Sequence, residues 1–324
     1  LVYCGMADGL LILDISDPSS LQAVSRIRFP DELVRGMRLE EQFVYLTAVS
    51  TVTPHSTGSV RIIDVSDSSA PGVTGSYPIA SGIGGLDVVD TLCVVGTGVS
   101  VSGFNGLLVL NTTDPDNISF VDSVHLGYGV HQVLARDSLV YAVNGDLCII
   151  DISDPADATV LSEFTPDFDY LARAQDMRED DSLLYIADLC TIWPAYVSAL
   201  SVYNVADPEN PSLWGRCPIY GYVMDVKIKD DYAFVSNGSC GVRTFDNSDP
   251  TAPVGLGQYQ TPSDRDNSVK SFAGRLAIQG DLLFLADVGP YVTDDMEAYK
   301  CYPTVPEPGD PSPGDLIILD ISDP

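Results

Sequence analysis

Seven near-copies of one short pattern constrain this chain more than any other feature. The pattern is apolar-x-apolar-apolar-Asp-Ile-Ser-Asp-Pro. It runs from Leu10 to Pro18, Val60 to Asp67, Leu107 to Pro115, Leu147 to Pro155, Leu200 to Pro208, Val242 to Pro250 and Leu316 to Pro324. The anchor residues Asp14, Asp64, Asn111, Asp151, Asn204, Asp246 and Asp320 are spaced by 50, 47, 40, 53, 42 and 74. A unit of about 40 to 50 residues built from short strands is the signature of propeller blades.

Each interval holds four strand-like segments. In the second unit they are Met37 to Glu41, Phe43 to Ala48, Val60 to Val65 and Val73 to Tyr77. The second segments align as Val2-Tyr3-Cys4, Val44-Tyr45-Leu46, Val140-Tyr141-Ala142, Leu184-Tyr185-Ile186, Ala233-Phe234-Val235 and Leu283-Phe284-Leu285. They are apolar on both faces, as a strand packed between two other sheets must be. The expected fold is all-β: one domain over residues 1–324, a seven-bladed β-propeller of four-stranded antiparallel blades. Its third strands end near the seven anchors. The first unit lacks an inner strand and the seventh an outer one, so 26 strands are expected. A continuation past Pro324 would supply both, and a strand from a neighbouring chain is the alternative.

The repeated turn has a local cause. Asp17, Asp114, Asp154, Asp207 and Asp249 each precede Pro, and Asp followed by Pro suits the start of a tight helical turn. Ser16, Ser66 and Ser153 add side-chain bonds to nearby backbone. A calcium loop is the competing reading, but the usual Gly and distal Glu are missing.

Gly9-Leu10-Leu11-Ile12-Leu13-Asp14-Ile15-Ser16-Asp17-Pro18 and Gly314-Asp315-Leu316-Ile317-Ile318-Leu319-Asp320-Ile321-Ser322-Asp323-Pro324 resemble the LVIVD repeat family. The resemblance implies a β-propeller of the kind found in bacterial and archaeal surface proteins. It implies no particular chemistry. Ser68 stands where Pro is expected, and Asn111 and Asn204 replace the first Asp.

Charge limits the partners. The chain carries 16 Lys and Arg against 46 Asp and Glu, a formal charge of −30. Nucleic acid and anionic membranes need a basic face and are excluded as main partners. No run of about 18 apolar residues occurs, so no transmembrane helix is expected. Of the acids 38 are Asp, and twelve of these sit in the repeated turn. The other 26 make an anionic surface that salt or divalent cations would screen. An extracellular or cell-surface location follows as an expectation. The chain starts inside an apolar strand, Leu1-Val2-Tyr3, and reads as a processed or trimmed product.

Candidate site residues cluster in loops between second and third strands. Insertions run from Val49 to Gly58, Gly98 to Gly106, Leu189 to Val197 and Gly289 to Gly314, whereas Ala7-Asp8-Gly9, Asn144-Gly145-Asp146 and Asn237-Gly238-Ser239 read as tight turns. Rim loops on a rigid scaffold are where binding evolves. In the long 289–314 insertion, Asp294, Asp295 and Glu297 are candidate calcium ligands, which makes calcium a candidate cofactor. Tyr291, Tyr299 and Tyr302 are candidate anchors for a partner or sugar. His55, His125 and His131 form a speculative zinc or copper set.

Arg38, Asp87, Gln132, Asp176, Arg178, Asp225 and Lys227 are expected on innermost strands, pairing around a wet channel. Cys4, Cys93 and Cys148 read as small buried hydrophobes. Cys190, Cys217, Cys240 and Cys301 are disulfide candidates, with Cys190–Cys217 favoured. Asn111, Asn117 and Asn237 begin glycosylation triplets.

No nucleophile elbow, phosphate loop or nucleotide fingerprint occurs. The reading is a non-enzymatic interaction or structural module whose partners are other proteins, surface polymers or copies of itself. A filament or surface-layer subunit built by strand sharing is one alternative. A metal-assisted hydrolase or oxidase on the loop-rich rim is the other.

Overall fold

The structure is a computed structural model. It describes all residues except 7, 19, 53–56, 99–103, 145, 165–169, 178–181, 191–196, 239, 261–272, 288–314 and 323–324. The described residues form 26 strands and no helix. The strands make seven small antiparallel sheets, the blades of a β-propeller.

The first sheet holds β1 (Val2–Met6), β2 (Gly9–Asp14) and β3 (Gln22–Arg28). The second holds β4 (Glu32–Glu40), β5 (Phe43–Ser50), β6 (Gly58–Asp64) and β7 (Gly72–Ile79). The third holds β8 (Ile83–Val89), β9 (Leu92–Thr97), β10 (Gly106–Asn111) and β11 (Ser119–His125). The fourth holds β12 (Gln132–Arg136), β13 (Leu139–Asn144), β14 (Asp146–Asp151) and β15 (Thr159–Phe164). The fifth holds β16 (Tyr170–Met177), β17 (Leu183–Cys190), β18 (Val197–Asn204) and β19 (Ser212–Tyr220). The sixth holds β20 (Asp225–Lys229), β21 (Tyr232–Ser236), β22 (Val242–Asp246) and β23 (Val254–Tyr259). The seventh holds β24 (Ala273–Gln279), β25 (Leu282–Asp287) and β26 (Asp315–Asp320). Strand order follows chain order in every sheet. The chain divides into two compact units, Leu1–Glu163 and Phe164–Pro324.

The core lies between sheets. In the first unit, Tyr45, Val60 and Ile62 of the second sheet pack with Ile83, Leu86 and Val95 of the third. Val94, Leu107 and Val109 then pack with Val133, Val140 and Ile150 of the fourth. In the second unit, Tyr185, Leu200 and Val202 pack with Val226, Val235 and Phe245. Each buried aliphatic or aromatic side chain contributes about 1.5–3 kcal/mol. Apolar residues on both faces of the second strands are thus explained: each face belongs to a different junction.

The repeated turn is built as its sequence suggests. In all seven copies the anchor side chain accepts the N–H of the residue two positions on, from Ser16 N to Asp14 at 2.8 Å to Ser322 N to Asp320 at 3.0 Å. The Asn111 and Asn204 amide oxygens serve as well as the carboxylates. The Asp before Pro starts a four-residue turn, as in Asn117 N to Asp114 O at 3.0 Å. The residue after the anchor ties the turn inward, as in Val65 N to Gln42 O at 2.9 Å and Ile152 N to Ser138 O at 2.8 Å.

The turn also docks on the outer strand of the preceding sheet. The Ser25 hydroxyl of β3 donates to Ser68 O at 2.6 Å, and Asp122 of β11 accepts Ala158 N at 2.9 Å. At the same place in β7 and β19 stand Gly75 and Gly215. A Cβ there would lie 2.0 Å from Pro115 O and 2.2 Å from Pro250 O. Only glycine admits so close an approach.

Candidate functional site

Connections at one end of the sheets are nearly uniform in length, and those at the other end are not. At the regular end, two residues join first to second strands in the second, third, fourth, sixth and seventh sheets. Seven residues join third to fourth strands in all six sheets that have both. At the other end, the connection from second to third strand is 2, 7, 8, 1, 6, 5 and 27 residues long in successive sheets.

Most of the candidate binding residues fall in the longest of these connections. Tyr291, Asp294, Asp295, Glu297, Tyr299 and Tyr302 lie outside the described residues, as do His55 and Cys301. His125 is exposed at the end of β11, with its ring 5.7 Å from that of Phe104. His131 is exposed just before β12, and its carbonyl accepts Gly85 N of β8 at 2.8 Å. His125 thus lies on the outer strand of the third sheet, whereas His131 lies against that sheet's first strand, with β9 and β10 between those two strands. Among the described residues, no group of three or more His, Cys, Asp or Glu could hold a metal ion.

The favoured disulfide is not made. Cys190 is on β17 and Cys217 on β19, with β18 between them. Two strand spacings come to about 9.6 Å, beyond the span a disulfide bridges. Cys217 and Cys240 carry free thiols. Burial raises the Cys217 thiol pKa. Cys93 and Cys148 are fully buried, as their aliphatic equivalents suggest, and Cys4 is half-buried.

Asn237 departs from both expectations. It does not begin a tight Asn-Gly hairpin: five residues, 237–241, join β21 to β22, closed by Asn237 N to Gly241 O at 2.7 Å. Nor is it available to a glycan, since it is 1% exposed and its Nδ2 donates to Tyr220 O at 2.9 Å. Asn111 is held in its turn, whereas Asn117 is exposed, its Nδ2 donating to Asp114 at 2.7 Å.

The carboxylates of the first strands do more than pair with cations. Asp87 of β8 accepts Val88 N and, from the next sheet, Ala135 N, each at 2.9 Å. Asp225 of β20 accepts Val226 N and Leu276 N in the same way, and Asp176 of β16 accepts Ile228 N at 2.9 Å. Arg38 Nε lies 3.3 Å and Arg136 Nη1 3.7 Å from Asp87, so three sheets meet at one carboxylate. Hydroxyls repeat the theme: Thr47 donates to Gly84 O at 2.9 Å and Ser236 to Gly274 O at 2.6 Å. These polar groups are structural ties between neighbouring sheets.

A polar cluster in the fifth sheet escaped the sequence reading. Asp188 of β17 is buried and accepts the Ser201 hydroxyl of β18, with Arg216 Nη2 of β19 at 3.9 Å. Burial pushes the Asp188 carboxyl up to about 6, against the opposing effects of Ser201 and Arg216. A second missed residue is Asn247, fully buried with neither amide atom hydrogen-bonded among the described residues. Its signal was visible: Asn stands in a column otherwise filled by Ile15, Val65, Ile152, Val205 and Ile321, or by Thr112.

Comparison with known proteins bears on the fold. The LVIVD repeat family matches residues 2–28, 56–78, 139–165 and 220–261. No curated protein matches the chain. Among solved structures it is similar to the computationally designed Ika8 protein, at 13% identity and a TM-score of 0.61, covering 89% of this chain and 77% of that one. It is also similar to a functionally unknown protein from Desulfotomaculum acetoxidans DSM 771, at 11% identity and a TM-score of 0.64, covering 88% and 91%.

Proposed function

The chain is an LVIVD-repeat β-propeller, and on that premise we propose that it is a non-enzymatic extracellular or cell-surface module that holds a protein or surface polymer on its irregular loops. One observation carries the reading. At one end, third-to-fourth connections are seven residues long in all six sheets that have both strands and first-to-second connections are two residues long in five of six, whereas at the other end length varies from 1 to 27 residues. A scaffold that varies chiefly there presents a surface free to specialise.

A second feature favours a discrete module over a strand-shared filament. The outer strands β3, β7, β11, β19 and β23 each break register once, at the same place near their start. Such bulges twist an edge away from pairing with another chain. The charge of −30 further suits uncharged or cationic partners.

The test joins surface biotinylation of intact source cells to photo-crosslinking from the 51–57 and 98–105 connections. The protein is expected to label on intact cells and to crosslink to discrete species. Shortening both loops to Asn-Gly turns should remove the crosslinks and leave thermal unfolding unchanged. Labelling only after lysis, or crosslinks indifferent to the loops, rejects the reading.

A further inference from the structure

The outer strands carry a second repeated feature, independent of the irregular loops. Their second residue is an exposed apolar side chain: Val73 at 43% exposed in β7, Phe120 at 51% in β11 and Val160 at 43% in β15. Leu213 of β19, in the other compact unit, repeats it at 44%. Ala23 and Gly255 hold the place in β3 and β23. Single exposed apolar residues are ordinary. Large ones recurring at one register position of an edge strand are not, because such edges usually carry charge.

Each of these residues follows an acidic turn. Asp64, Asp67 and Val73 line one open cleft of about 240 Å³. Hydrogen bonds from the Ser66 and Ser69 hydroxyls and N–H groups hold both carboxyls below their ordinary range. Phe120 follows Asp114 and Asp116, and Val160 follows Asp154 and Asp157. None of the eleven-residue segments 64–74, 111–121 and 151–161 contains a Lys or Arg.

We infer that the outer-strand edges of the second, third and fourth sheets are each a docking station for an extended basic–apolar polypeptide segment. Lys or Arg side chains of the partner meet the turn carboxylates, and its apolar residues cover Val73, Phe120 or Val160 beside them. Charge complementarity selects this occupant. A second copy of a chain carrying −30 would bring like charge to the same edge.

Fluorescence anisotropy tests the inference with two labelled octapeptides, one alternating Lys and Leu, the other Lys and Ser. At about 150 mM salt the protein should prefer the Lys-Leu peptide by about tenfold or more. The Val73→Ser/Phe120→Ser/Val160→Ser variant should bind both alike, at unchanged thermal unfolding. If that variant unfolds early, Asp64→Asn/Asp151→Asn replaces it, because Asn already serves this turn at positions 111 and 204. It should weaken both peptides and flatten the salt dependence. Equal binding of the two peptides by the unaltered protein overturns the inference. So does a preference that survives the serine variant. So does concentration-dependent dimerisation that the serine variant abolishes, which would identify a second copy as the occupant.

Discussion

Thr112 and Asn247 occupy the same column of the repeat with opposite outcomes. The Thr112 hydroxyl donates to Thr91 O at 3.0 Å, whereas the Asn247 side-chain amide is buried with no hydrogen-bond partner among the described residues. An unsatisfied buried amide costs about 1–3 kcal/mol. Asn247→Val should therefore raise stability by about 1–2 kcal/mol, read as a higher urea midpoint at unchanged slope. Asp188 supplies a pH test. Its carboxyl titrates near 6 when folded against an ordinary value of 3.8, so the folded state binds the extra proton between them. Stability should fall as pH rises from about 4 to about 6, and Asp188→Asn should remove that slope from a series of thermal melts.

At the scale of elements, the junction between outer strand and following turn is the sensitive point. Gly75→Ala and Gly215→Ala should each cost about 1–3 kcal/mol, because the added methyl meets a proline carbonyl on a neighbouring sheet. Gly257→Ala, with nothing among the described residues within 4 Å of the added methyl, is the matched control and should change unfolding little. The strands and turns were legible because their causes are local. Apolar residues on two faces mark a strand sandwiched between sheets, and an Asx residue followed by Asp-Pro marks a turn. The ties between sheets were not legible. Ser25, Gly75, Asp122 and Gly215 do one job with three chemistries, so no single residue type marks the position. The Cys190–Cys217 pairing failed for a related reason: residues close in one sheet's sequence are separated by the strand order. Loop chemistry was the least legible, since insertions have no repeat partner to calibrate them.

For the molecule as a whole, charge sets the conditions of stability. A formal −30 repels itself in dilute buffer. Raising salt from about 10 to about 200 mM should lift the melting temperature by several degrees, since screening grows steeply over that range. Acid works the other way. Hydrogen bonds hold the carboxyls of Asp14, Asp64, Asp67, Asp246, Asp249 and Asp320 below their ordinary value. Their stabilisation is present above that value and disappears as pH drops through the lowered one. Thermal melts from pH 4 down to pH 2 should decline on this account, an effect shared among many turns and insensitive to any one of them.

The contact that seats a turn on the strand before it is the same between the second and third sheets as between the fifth and sixth. A gene segment encoding one extra repeat would thus bring both halves of a ready socket with it. Lineages of such chains can change their number of copies by unequal crossing-over, with no new junction to invent.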